Sequence, residues 1–226
     1  MTEIKDKSLL MRRPPRMSQP ATFRQLGILV LDGSGSMGEF TAQRITKAEA
    51  VSSAVNDLFS RFKQSRMKSN FAFAIVNYDH RAKVRMQATE TKDLDDHGDY
   101  DPMQGLGGGT HIAEGLKAAQ SIAKDFLKDE KEDGLAHSVV IIVMTDGVDE
   151  SENQTIVQAK ALKAMPKVRI CGCFLETLGA DVDAMQECAD YVKSLCSDEQ
   201  SFTNVSNADD LRKFFIASMS NLAPMI

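Results

Sequence analysis

The chain has no tryptophan, three tyrosines and only four cysteines in 226 residues. So few cysteines exclude the dense disulfide framework of small secreted domains and make a reducing, cytoplasmic setting the expectation. No apolar run reaches the roughly 18 residues of a membrane-spanning helix. No apolar h-region follows the charged N-terminus, so neither a transmembrane segment nor a secretory leader is expected. Positive charge is also short: the formal net charge is −5, which argues against a general nucleic-acid binder. The four histidines (His80, His97, His111 and His137) lack HExxH spacing. No nucleophile sits in a recognisable pairing with a base, so no catalysis is expected.

What is present fits a globular α/β domain. Hydrophobic residues make up 42% and charged residues 26% of the chain, near the globular averages. The charge is uneven. Lys5, Lys7, Arg12, Arg13, Arg16 and Arg24 face only Glu3 and Asp6 in residues 1–24, a net of +4 that leaves −9 for the remainder. Residues 1–22, with Pro14, Pro15 and Pro20 and no periodicity, predict a flexible basic N-terminal arm. Residues 23–226 predict a single domain.

Strand-like and helix-like patterns alternate from Arg24 onward. Leu26–Leu31 reads as a buried strand, and Ile45, Ala48, Val51, Val55, Leu58, Phe59 and Phe62 recur at helical spacing. Phe71–Val76 is a second strand, with Ala82–Met86 as a short antiparallel partner after the turn at Tyr78–Arg81. Ile112 to Leu127 marks another amphipathic helix. Val139–Met144 is the most apolar strand, and its β-branched run suits the centre of a sheet covered on both faces. A helix at 153–164, a strand at 168–174, a helix at 182–195, a strand at 201–205 and a helix from Ala208 complete the series. Ser206 or Asn207 is the expected N-cap of that last helix. The pattern predicts a doubly wound, mostly parallel sheet with one antiparallel edge strand and helices on both faces, its functional edge at the strand carboxyl ends.

Three polar loops should meet at that edge. Asp32-Gly-Ser34-Gly-Ser36 follows the first strand, Gly107-Gly-Gly-Thr110 precedes a helix, and Thr145-Asp146-Gly147 follows the central strand. Two carboxylates and three hydroxyls form a hard oxygen set of the kind that suits Mg²⁺, with Mn²⁺ or Ca²⁺ as substitutes. Competing motifs fit less well. Gly33-x-Gly35-x-x-Gly38 satisfies the dinucleotide fingerprint, but Asp32 and two hydroxyls crowd a loop that a pyrophosphate needs free of negative charge. Glu39 stands where a P-loop requires lysine, and Gln43 occupies the twelfth position where an EF-hand requires an acid. Asp93, Asp95, Asp96, Asp99 and Asp101 read as a solvated acidic loop in preference to a second cation site. Cys171 and Cys173 are placed on opposite sides of one strand. With Cys188 and Cys196, they are read as small hydrophobes, not a zinc site.

Asp32-x-Ser34-x-Ser36, then Thr110, then Asp146-Gly147, resembles the metal-ion-dependent adhesion site (MIDAS) of von Willebrand factor A domains, the family that includes integrin I domains. Gly108-Gly-Thr110-His-Ile112 and Gly115-Leu116 are similar to that family's second loop and following helix, and the resemblance spans residues 24–222. It implies a Rossmann-like fold with Ser34 and Ser36 as direct metal ligands. Asp32, Thr110 and Asp146 then act directly or through water. It further implies a divalent-cation-dependent protein-interaction module in which an Asp or Glu of a partner protein completes the metal shell. A weaker likeness to compact bacterial members suggests a stress or tellurite-resistance system. The rival expectations are a Mg²⁺-dependent phosphoryl-transfer or hydrolytic enzyme and a metal-stapled subunit of a structural oligomer.

Overall fold

The computed structural model describes residues 20–41, 43–177 and 179–220. Most of the expected N-terminal arm (1–19) therefore lies outside the described residues. The strands are β1 (Arg24–Asp32), β2 (Phe71–Tyr78), β3 (Ala82–Glu90), β4 (His137–Thr145), β5 (Val168–Leu175) and β6 (Phe202–Val205). The helices are α1 (Lys47–Lys63), α2 (Ile112–Lys128), the single turn α3 (Glu130–Asp133), α4 (Glu152–Lys163), α5 (Val182–Leu195) and α6 (Ala208–Ser220).

One six-stranded sheet runs in the order β3-β2-β1-β4-β5-β6. Every pairing is parallel except β2 with β3. The four inner strands, β2, β1, β4 and β5, are almost wholly buried and carry long apolar runs, because strands covered on both faces have no water-facing side to make polar. Residues two apart share a face, and the alternation sorts the core into two layers. Leu29, Leu31, Phe73, Ile75, Ile142 and Met144 pack with α1 and α6. Leu26, Ile28, Val30, Ala74, Val76, Ile141 and Val143 pack with α2 and α4.

The same rule corrects one expectation. Cys171 and Cys173, two residues apart on β5, both face the α1/α6 layer. Cys171, Cys173 and Cys196 are buried, and burial holds all three thiols above their usual pKa, that of Cys196 at about 12. Strand β3 is also longer than expected, running four residues past Met86, with register shifts opposite Phe73–Val76.

Helix ends follow from local chemistry. Thr46 and Glu49 form a reciprocal capping box at α1, which satisfies two otherwise orphaned amides. Asn207 caps α6 by accepting from Asp210 N–H at 2.9 Å. Helix α2 lies close on the sheet because residue 115 is glycine: a β-carbon there would sit 2.6 Å from Val30 Cγ1 and 2.9 Å from Tyr78 Cδ1.

The winding reverses at the centre. The chain leaves β1 through α1 toward β2, and leaves β4 through α4 toward β5, on opposite faces. The carboxyl ends of β1 and β4 therefore border the crevice where the strand order switches, the place where α/β sheets present binding groups.

Candidate metal centre

Asp32 is the last residue of β1 and Thr145 the last of β4, on neighbouring parallel strands. Asp32 is fully buried. Its Oδ1 accepts Ser34 N–H at 2.8 Å, and its Oδ2 accepts the Thr145 hydroxyl at 2.6 Å. Burial raises its carboxyl from the ordinary range to about 6; the Thr145 and Ser34 hydrogen bonds pull it down, and nearby Asp146 pushes it further up. The carboxylate is therefore costly as a bare anion and gains from a cation beside it.

Ser34 and Ser36 emerge on the turn that follows, with their hydroxyl oxygens 3.1 Å apart. Ser36 Oγ donates to Asp146 Oδ1 at 2.7 Å. Thr110 joins from the second loop: a β-carbon built on Gly147 would lie 3.6 Å from Thr110 Oγ1 and 3.9 Å from Ser36 Oγ. All five candidate residues thus gather at one sheet edge. Both carboxylates, Ser34 and Thr110 are buried, and Ser36 is half-buried.

The loops are fixed to one another through backbone. Gly35 N–H donates to Gly108 C=O at 3.1 Å, Gly33 N–H to Tyr78 C=O at 2.7 Å, and Glu150 N–H to Thr110 C=O at 2.8 Å. Buried Asp79, at the end of β2, accepts Gly108 N–H at 3.1 Å. Gly107 takes φ +132°, which a side chain rarely adopts.

The donor set fits a small hard cation. With ligand distances of about 2.0–2.1 Å, adjacent oxygens of a Mg²⁺ octahedron lie roughly 2.9 Å apart. The Ser34–Ser36 and Ser36–Asp146 separations bracket that edge. Ser34, Ser36, Thr110, Asp32 and Asp146 would hold the ion, which would supply Lewis acidity toward one more oxygen ligand. Among the described residues no group of three or more His, Cys, Asp or Glu side chains is placed to hold a metal. The candidate centre has another composition, three hydroxyls and two carboxylates. The acidic loop uses its carboxylates elsewhere: Asp95, Asp99 and Asp101 close local turns, and Asp96 pairs with Lys63 at 2.6 Å. The dinucleotide fingerprint fails on context, because the glycine loop ends in a short 3-10 turn at Gly38 and α1 begins only at Lys47.

Four contributors escaped the sequence reading. Asp149 accepts Ile112 N–H at 3.2 Å and Tyr191 O–H at 2.6 Å, and Ser151 Oγ accepts Ala113 N–H at 3.3 Å. These two residues cap α2 from the third loop and so tie Thr110 to Asp146. The Tyr191 hydroxyl is held well above its usual pKa by burial and by that bond to Asp149. Glu150 closes over Gly109, with Thr110 N–H donating to its Oε1 at 3.3 Å. Lys47, 1% exposed, places Nζ 2.6 Å from Asp146 Oδ2. An ammonium eleven residues beyond Ser36 leaves no spacing signal, and a helix-start lysine reads as solvent-facing.

No curated protein sequence matches the chain. Among solved structures it is similar to the pilus adhesin SpaC from Lactobacillus rhamnosus GG (TM-score 0.70, 10% identity, 91% of this chain and 31% of the adhesin). It is also similar to a von Willebrand factor type A protein from Catenulispora acidiphila (TM-score 0.60, 18% identity, 87% and 43%). A third is proximal thread matrix protein 1 from the mussel byssus, in a structure with a zinc-occupied MIDAS motif (TM-score 0.57, 16% identity, 89% and 46%). The chain spans a third to a half of the length of these three, and at such identities the likeness establishes the fold. The von Willebrand factor type A domain model matches residues 28–148, just over half of the sequence, and the chain belongs to that family.

Proposed function

We propose that this chain is a divalent-cation-dependent protein-interaction module without catalysis of its own. A metal ion held by Asp32, Ser34, Ser36, Thr110 and Asp146 is completed by an Asp or Glu side chain of a partner protein. The observation that carries the reading is the convergence of three hydroxyls and two carboxylates from three separate loops on one sheet edge. The hydroxyls compensate none of the ion's charge and aspartates acting through water compensate it incompletely, so it keeps affinity for one further anionic oxygen. The pilus adhesin among the structural neighbours favours protein recognition over turnover as the use of this fold.

Mg²⁺ is the proposed resident ion, because the oxygen spacing suits its short ligand distances. A cytoplasmic setting and a role in bacterial stress or tellurite resistance are proposals that rest on the sequence alone. No helix among the described residues is long and apolar enough to cross a membrane.

Calorimetric titration of wild type and Asp32→Ala with Mg²⁺ and Mn²⁺ tests the site. The expected result is saturable binding to the wild type, lost in the variant. Equal binding by both would overturn it. Repeating the wild-type titration with an acidic peptide, with and without chelator, tests the bridge: binding that survives chelation would refute it.

A further inference from the structure

Lys47 has no part in the five-residue metal set, yet it is among the most completely buried polar side chains of the molecule. Its Nζ lies 2.6 Å from Asp146 Oδ2, 2.8 Å from Glu39 Oε2 and 2.7 Å from Thr177 Oγ1. Burying an ammonium is costly unless it is paired. Placing it in the first turn of α1, at the positive end of the helix dipole, adds to that cost. A methionine would fill the same space without either penalty. The charge itself therefore needs a role, and its position supplies one.

Asp146 is two-sided. Oδ1 accepts from Ser36, toward the other candidate ligands, while Oδ2 faces Lys47. The five-residue set carries two formal negative charges, from Asp32 and Asp146, and Lys47 reduces that to one. Glu39, on the far side of the ammonium, is more than half exposed, so water screens its contribution. A divalent ion in the centre then leaves one net positive charge, which a single carboxylate balances.

Resting on the metal-centre reading above, we propose that Lys47 is the internal counter-ion of the site. It holds one oxygen of Asp146 and lowers the charge of the centre by one. Cation binding is thereby weak on its own and is reinforced by a monoanionic carboxylate from outside. The class of ligand follows: a lone Asp or Glu side chain, in preference to a dianion such as a phosphate monoester.

The test is calorimetric titration with Mn²⁺, with and without acetate as the carboxylate probe. It compares wild type, Lys47→Met, Lys47→Gln and Lys47→Arg, with circular dichroism as the check on folding. Lys47→Met removes the charge at similar length. Lys47→Gln also keeps a hydrogen-bond donor for Asp146 and Thr177, and is the second neutral variant should the first fail to fold. Both are expected to bind Mn²⁺ about tenfold or more tightly than wild type, the effect of removing one unit charge a few ångströms away in a partly buried site. Lys47→Arg is expected within about threefold of wild type, since it keeps the charge. Acetate should strengthen Mn²⁺ binding more in wild type than in the neutral variants.

A merely structural lysine gives the opposite sign, because a loosened Asp146 would bind metal less well. Folded neutral variants with unchanged or weakened Mn²⁺ affinity, beside a wild type that binds, overturn the counter-ion role and leave the metal centre standing. Absence of Mn²⁺ binding in wild type and neutral variants alike overturns the metal reading, and the counter-ion with it.

Discussion

At the scale of single residues, Asp32 is held by geometry in a charge state that its surroundings oppose. It is fully buried, and its carboxyl is raised to about 6 by that burial. A raised carboxyl pKa means that the ionised form destabilises the fold at neutral pH unless a cation compensates. Asp32→Asn keeps an acceptor for Ser34 N–H and removes the charge. In chelator it is expected to be as stable as wild type or more stable, by up to about 3 kcal/mol, since each pKa unit is worth about 1.4 kcal/mol. The same variant should lose Mg²⁺ affinity by at least about a hundredfold. Urea denaturation in chelator, beside calorimetric titration, checks both. A variant that is strongly destabilised in chelator would show Asp32 to be a structural acceptor and not a poised ligand. Asp146 differs, because Lys47 already balances it. Asp146→Ala leaves a buried ammonium with only the exposed Glu39 and Thr177, so it is expected to cost about 3–5 kcal/mol whether or not metal is present.

At the scale of elements, the order of the loops depends on a cap supplied in trans. No side chain of its own first turn caps α2; Asp149 and Ser151, from the loop after β4, accept its first amides. Asp149→Ala removes the acceptor for Ile112 N–H and also strands the Tyr191 hydroxyl. A destabilisation of about 2–4 kcal/mol is expected from the lost cap and the unsatisfied partner together, measured by chemical denaturation. Metal affinity should fall as well, because Thr110 stands two residues before the helix that this cap secures. Loss of stability with full retention of metal affinity would show that Thr110 is positioned by other means. This cap also marks the limit of what the sequence discloses. Strands β1, β2, β4 and β5 were legible because burial on both faces writes an apolar run into each, and α1 and α2 because one face only is buried. The five candidates could be singled out because they stand in short polar loops that border strand and helix ends: Asp32 and Asp146 at the ends of β1 and β4, Ser34 and Ser36 just beyond β1, and Thr110 two residues before α2. Asp149, Ser151 and Lys47 were not, because their partners are distant in sequence and their residue types are ordinary for a helix start. Cys171 and Cys173 share a face, as the strand period of two requires, so both lie in the α1/α6 layer.

At the scale of the whole molecule, the candidate metal centre joins the two layers of the core. Asp32 and Asp146 continue β1 and β4, Lys47 opens α1 on one face, and Thr110 precedes α2 on the other. An ion that binds the folded chain and not the unfolded one stabilises all of it, by about 2.7 kcal/mol at a hundredfold excess over its dissociation constant. Thermal unfolding in saturating Mg²⁺ is therefore expected to lie several degrees above unfolding in chelator, the shift that such an energy produces in a domain of this size. Asp32→Asn should abolish the difference, and Asp149→Ala should lower both curves while keeping part of the gap. The oligomer-staple alternative predicts something else: metal removal would change the sedimentation coefficient along with the melting temperature. A monomer with and without Mg²⁺, stabilised by the ion and losing that stabilisation in Asp32→Asn, leaves the outward-facing coordination position as the feature that the ion adds to the molecule. If the melting temperature is indifferent to Mg²⁺ over the full titration, no ion couples the three loops, and their convergence serves packing alone.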